Sequence, residues 1–180
     1  MKKADIVHGK TLRFRNACRE DAEFIFGLRN DPGKSRYLSA TSSELDHQYA
    51  WLDAYENKTD QAYFIIEFEN KRIGTVRLYD QQANSFCWGS WILADSRPAH
   101  AAMESALMVY SYAISDLGFT AAHFDVRKEN ERVWKFHERF GAVKIAESDD
   151  DYFFSLSLDA IQTSLAKYAK FLPDAVRVTR

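Results

Sequence analysis

Apolar and polar residues change their spacing along the chain in blocks that can be read one at a time. In TLRFRNA (11–17), Leu12 and Phe14 alternate with Arg13 and Arg15, the period of a half-buried strand. REDAEFIFGLRND (19–31) shifts to helical spacing, with Ala22, Ile25, Phe26 and Arg29 on one stripe and Asn30-Asp31-Pro32-Gly33 as the stop. SSELDHQYAWLDAYENK (42–58) predicts a second helix, capped by Ser42 or Ser43, with Leu45, Tyr49, Leu52 and Tyr55 on its apolar face. Three strands follow, over 62–69, 72–80 and 84–93, joined by short polar turns as in an antiparallel meander. A long helix over 98–117 carries Met103, Leu107, Tyr110, Ile114 and Leu117 and stops at Gly118. After it come a strand (121–127), a helix (130–140) opened by Asn130 and closed by Gly141, and a closing hairpin (142–147 and 151–158). A tail helix over 159–172 presents Ile161, Leu165, Tyr168 and Leu172. The predicted order is β αα βββ α β α ββ α, an α+β layout with a mixed sheet. Trp88 and Trp91, three apart on a strand, are expected on opposite sides, one in the core and one on a pocket wall.

At 180 residues and 46% apolar, the chain suffices for one well-buried core, so a single domain over 1–180 is expected. A net charge of −2 with interspersed signs gives no general attraction to nucleic acid. Cys18 and Cys87 form no CxxC pair, which fits a reduced compartment. The first residues hold no apolar run of a signal peptide, and no window is long and apolar enough to span a membrane. A cytoplasmic protein is expected. His100 with Glu104, and His123 with His137, would allow a metal site, but HExxH and cysteine clusters are missing, so no metal is expected.

The last third carries the chemistry. Asn130, Val133, Phe136, His137 and Gly141 form an Asn-x-x-apolar-x-x-apolar-aromatic-x-x-x-Gly register on a helix that follows a strand. With the element order from about 11 to 158, this resembles the GCN5-related N-acetyltransferase (GNAT) superfamily; the tail helix lies outside that core. The resemblance implies acetyl-CoA as cosubstrate, held in a V-shaped gap between splayed parallel strands at 84–93 and 121–127. It implies that backbone groups of Ile92 and Leu93 meet the pantetheine arm and that the pyrophosphate sits on the next helix N-terminus. The physics of that last site is general: a helix start offers free N–H groups and a positive dipole end. The phosphate loop would be Arg97-Pro98-Ala99-His100-Ala101-Ala102, in which Arg97 and Ala102 match the family pattern while His100 stands where it has glycine. Asn130, Val133 and Phe136 would complete the cofactor wall.

His137 occupies the position of the family's tyrosine acid and is expected to protonate the departing thiolate. The strand position usually held by a glutamate base is filled by Cys87-Trp88-Gly89-Ser90, so water or another element must supply the base. His123 and Asp125 alternate with Phe124 and Val126 and either line the site or are solvated. "HQYAWL" and "WGSWIL" look like the branch that acetylates amino groups of nucleotide-linked sugars in surface polysaccharide synthesis, placing Gln48, Trp51, Tyr63, Trp88 and Ser90 near the acceptor. Two alternatives stay open: a protein N-terminal acetyltransferase, and a non-catalytic interaction module of the same fold. The tail helix can dock on the body or on a second subunit of a homodimer.

Overall fold

The computed structural model describes residues 1–37 and 44–180. One nine-stranded sheet runs through the molecule in the order β7-β8-β6-β5-β4-β3-β2-β1-β9. Its strands are β1 (Ile6–His8), β2 (Leu12–Asn16), β3 (Ala62–Phe68), β4 (Lys71–Gln82), β5 (Ser85–Leu93), β6 (Ala121–Arg127), β7 (Val143–Glu147), β8 (Asp151–Ser157) and β9 (Arg177–Thr179). The helices are α1 (Ala22–Asn30), α2 (Pro32–Ser35), α3 (Leu45–Glu56), α4 (Ala101–Ser115), α5 (Glu131–Arg139) and α6 (Leu158–Lys167), with a 3-10 turn at Arg19–Asp21. The two short strands at the chain ends, β1 and β9, are absent from the sequence reading. They pair with each other and extend the sheet beyond β2.

β3 reads AYFIIEF with no polar alternation because both its faces are covered. Ala62, Phe64 and Ile66 join the main core under α4. Tyr63 and Ile65 turn to the other face and pack with Ile25 of α1 and with Leu52 and Tyr55 of α3. α4 is buried over most of its circumference, from Ala101 to Ala113. The tail covers part of it: Ile161 of α6 is fully buried, the Ser164 hydroxyl donates to Phe140 O at 2.9 Å, and Val176 N–H donates to Ser111 Oγ. The tail helix is therefore docked on its own body. The capping expected from Ser42 or Ser43 lies outside the described residues; Asp31 caps α2, accepting from Gly33 N–H at 2.8 Å.

Two irregularities position the site. The parallel pair β5/β6, joined by the α4 crossover, is paired only at Ser85↔Ala121 and Phe86↔Ala122, after which the strands diverge. On the other side of β5, Thr75 faces Ile92 while Arg77 faces Gly89, so Ser90 and Trp91 together oppose Val76. This is a β-bulge, and Ser90 takes φ 46 within it. The extra residue resets strand parity. Trp88 and Trp91 therefore fall on the same side, with rings 5.3 Å apart, and not on the opposite sides expected from regular alternation.

Candidate active site

A cleft of about 350 Å³ opens where β5 and β6 part, and α5 closes one side of it. Of the residues expected at the site, it gathers His137, Asn130, Val133, Trp88 and Ser90. Trp88 and Trp91 form its inner wall: the Trp88 indole donates to the Tyr110 hydroxyl, and the Trp91 indole donates to Ser105 Oγ at 3.1 Å. Ile92 is buried and Leu93 half-buried at the end of β5. Ala94 N–H donates to Ile73 O on β4, so alternation turns the backbone groups of Leu93 the other way, onto the open edge. Beyond that edge begins α4, whose first-turn N–H groups have no intrahelical acceptors.

The phosphate loop departs from expectation in detail. The His100 ring lies 2.8 Å from Thr11 Oγ1 and edge-on to Phe68, so it is turned toward β2 and β3. Glu104, buried one turn on, accepts from Thr11 N–H at 2.6 Å, Leu12 N–H at 2.8 Å and the Thr11 hydroxyl at 2.7 Å. This carboxylate moors the start of α4 to β2. Ala101 is fully buried and its N–H donates to Pro98 O, so it forms the floor of the turn and offers no donor. Ala99 is exposed and Ala102 half-buried, and Arg97 donates to Ala94 O at 3.0 Å. Phe136 packs between Trp91 and Phe140 and supports the cleft wall from behind.

His137 is 6% exposed. Its ring is 4.2 Å from that of Phe124 and 5.3 Å from that of Trp88, and its Nδ1 has no hydrogen-bond partner. Burial in this apolar cage pushes its pKa down to about 3. The imidazole is therefore neutral at neutral pH. It holds no proton as imidazolium to hand over, which narrows the acid role expected from sequence to that of a neutral N–H donor. Asn130 stands at the N-cap of α5 but makes no side-chain cap bond; its carbonyl accepts from Val133 and Trp134 N–H.

The acceptor side differs more from the sequence reading. Tyr63 is buried, packs in the second core and is not part of the cleft lining. Gln48 and Trp51 are half-buried on α3 and lie outside the cleft lining, Trp51 reaching it only through the Arg77 guanidinium at 5.2 Å. In their place the cleft presents Arg29, Arg77, Tyr79, Asp125 and Arg127. Arg77 and Tyr79, like Asp125 and Arg127, are two apart on one strand and share a face, a signal visible in sequence only once the gap is located. Asp125 lies three residues beyond the last β5/β6 pair, level with Gly89 beside the bulge. His123 on the same face is held between Ser85 Oγ at 2.7 Å and Asp80 at 3.2 Å. Burial pushes the Cys87 thiol up to about 11, so it stays protonated. Among the described residues, no group of three or more His, Cys, Asp or Glu side chains could hold a metal ion. No helix among them is long and apolar enough to cross a membrane.

A mixed sheet that splays one parallel pair ahead of a bulge, with a helix start above the open edge and a half-enclosed cleft below it, is the arrangement expected of an acyl-transferase that takes its acyl group from a thioester of coenzyme A. The sequence profile of the acetyltransferase (GNAT) domain matches residues 11–143. Apo FdhC, described as a nucleotide-linked sugar GNAT, is 40% identical, with 91% of this chain and 96% of that one covered and a TM-score of 0.83. Spermidine N-acetyltransferase from Vibrio cholerae, solved with CoA and spermine, is 18% identical over 84% of this chain and 98% of that one, with a TM-score of 0.75, and shares the fold. Comparison with curated proteins finds no match. The chain belongs to the GNAT family of acetyltransferases; it is an N-acetyltransferase, and acetyl-CoA is its cosubstrate.

Proposed function

We propose that the acceptor is the amine of a nucleotide-activated amino sugar of the kind used in surface polysaccharide synthesis. The observation that carries this reading is the 40% identity to FdhC over nearly the whole of both chains. The cleft supports it, since Trp88 and Tyr79 offer apolar faces to a sugar or base ring. Its charges agree as well. A polyamine such as spermidine would meet the Arg29 and Arg77 guanidiniums, whereas an acceptor with an amine at one end and phosphates at the other meets both signs. The reading carries a cytoplasmic location with it, where nucleotide sugars are made.

Two proton transfers accompany the acyl transfer. The ammonium of the acceptor must lose a proton before its nitrogen attacks the thioester carbonyl, and the sulfur that leaves must gain one. Asp125 suits the first of these. Its carboxylate lines the cleft beside the bulge, and no cationic side chain pairs with it among the described residues, whereas Asp151 is taken by Arg127 at 3.3 Å. The outward N–H of Leu93 polarises the carbonyl. His137 assists the second as a neutral imidazole donating a hydrogen bond to the sulfur, much as a neutral imidazole serves as electrophile in other enzymes.

The test is release of free thiol from acetyl-CoA with a panel of acceptors: amino sugars linked to thymidine or uridine diphosphate, spermidine, and short peptides with free N-termini. Turnover of a nucleotide-linked amino sugar, falling about 100-fold in Asp125→Asn, is expected. Turnover confined to spermidine or to peptides overturns the reading.

A further inference from the structure

The acyl-transfer chemistry leaves one feature of the cleft unused, the Arg77 guanidinium. Every part of it that faces the protein is fixed. Its Nε donates to Oε1 of Gln61, a buried neutral amide, at 2.6 Å. Its guanidinium carbon lies 5.2 Å from the ring of Trp51 and 4.8 Å from that of Tyr79. Other arginines of the chain meet carboxylates: Arg15 meets Asp21 and Glu67, Arg13 meets Glu67, and Arg127 meets Asp150 and Asp151. Arg77, though half-buried, has no carboxylate at ion-pair distance among the described residues, and its two terminal nitrogens carry no hydrogen bond there. Arg29 stands beside it, its Nη1 donating to Ser90 Oγ at 3.3 Å. Desolvation, with a smaller contribution from the nearby positive charge of Arg29, disfavours the charged form of Arg77.

Holding the Arg77 charge in a half-enclosed cleft with no carboxylate at ion-pair distance among the described residues costs energy that a bound dianion offsets. A pre-oriented guanidinium fork is suited to phosphoryl oxygens, which accept two parallel N–H bonds. We propose that Arg77, with Arg29 beside it, is the subsite for the acceptor's diphosphate, separate from the α4 start that meets the phosphates of acetyl-CoA. The proposal rests on the nucleotide-sugar reading and adds its polarity: the diphosphate lies at β4 and the amine at Asp125 on β6. Cation–π contacts with Trp51 and Tyr79 and the bond to Gln61 limit its rotamers before the ligand arrives, so less side-chain entropy remains to be lost on binding.

The experiment has two arms. In the first, protein saturated with CoA, so that the α4 site is filled, is titrated calorimetrically with inorganic pyrophosphate and with thymidine diphosphate. Binding by the wild type that is lost in Arg77→Ala and partly kept in Arg77→Lys is expected. Binding that is absent in the wild type, or equal in Arg77→Ala, overturns the proposal. In the second, KM for a nucleotide-linked amino sugar is expected to rise about tenfold or more in Arg77→Ala, with kcat and KM for acetyl-CoA changed less than about threefold. An unchanged acceptor KM in a variant whose melting temperature matches the wild type also overturns it. Arg72→Ala, which removes a charge paired with Asp21 outside the cleft, serves as the control for net charge. A wild type that turns over no nucleotide-linked sugar sinks the acceptor reading, and the pyrophosphate titration still decides on the anion subsite.

Discussion

Replacing His137 by phenylalanine tests the site through the fold. The imidazole sits in an aromatic cage of Phe124, Trp88 and Phe136, with Nδ1 unpartnered. In the unfolded chain its pKa returns to the ordinary 6.5, while burial holds it at about 3 in the native state. Between those values the unfolded chain binds the extra proton, so native stability is fully present above 6.5 and is lost as pH falls toward 3. The loss between pH 7 and pH 5 from this one group is about 2 kcal/mol, or roughly 5 °C in melting temperature for a chain of this size. Phenylalanine removes this titration and also the buried unpartnered nitrogen, a cost of about 1–3 kcal/mol, against a similar cost for its larger ring. The variant is therefore expected near wild-type stability at pH 7 and above it at pH 5, while its kcat falls about 10- to 100-fold from loss of the donor to sulfur. The assay is urea unfolding of both proteins from pH 7.5 to 4.5, followed by tryptophan fluorescence. The carboxylates common to both cancel in the difference between the two profiles. Parallel profiles would refute the reasoning, since they would mean that the imidazole is solvated or paired in the native state.

Three further outcomes follow from the geometry around acetyl-CoA. Gly74→Ala would place a Cβ 2.4 Å from Ile92 O and 2.8 Å from Leu93 Cδ2, so the end of β5 must shift; KM for acetyl-CoA should rise, with stability down about 1–3 kcal/mol by denaturant titration. Glu104→Ala leaves the N–H groups of Thr11 and Leu12 without their acceptor; it should cost about 2–4 kcal/mol and weaken acetyl-CoA binding, because the first turn of α4 loses its mooring. His100→Gly removes a ring that points at Thr11 and Phe68 and away from the open edge; calorimetry should show acetyl-CoA bound no more tightly than by the wild type, and tighter binding would place that ring over the phosphates.

The register of α5 was legible in the sequence because it is local: Asn130, Val133 and His137 lie on one helix, and a 3.6-residue period puts them on one face without reference to anything else. The tail helix and the meander were legible for the same reason. The chain-end strands β1 and β9 were not, since three residues of IVH or RVT become a strand only when a distant partner supplies the ladder. Of the acceptor residues expected, Trp88 and Ser90 line the cleft while Gln48, Trp51 and Tyr63 do not, for the same reason. Tyr63 and Trp51 look like pocket residues in a linear reading, but β3 is buried on both faces, so Tyr63 is claimed by the second core. Arg77 looks like an ordinary solvent-facing position of an alternating strand, and alternation alone leaves Asp125 open between lining the site and solvent. Their role depends on the gap between β5 and β6, which the family resemblance implies but whose charged lining no residue type announces.

That gap and the bulge act together. A regular β5 would have kept Trp88 and Trp91 on opposite faces and put Ser90 on the side of Trp88. One inserted residue brings both indoles to the α4/α5 side, where Trp88 meets His137 and Trp91 meets Phe136. The edge of β5 is already free of β6 beyond Phe86, and the insertion adds to it by aiming Ser90 at Arg29. The cost is a serine at φ 46, a left-handed conformation that disfavours a side chain by about 1 kcal/mol. It is held by the Thr75 hydroxyl, which donates to Ser90 O at 2.7 Å, and by the Arg29 bond to its side chain. The strain thus sits at the one point where the inner aromatic wall, the open backbone edge and the charged acceptor face meet. Relaxing it by restoring regular pairing would return Trp91 to the face opposite Trp88 and take apart the inner wall.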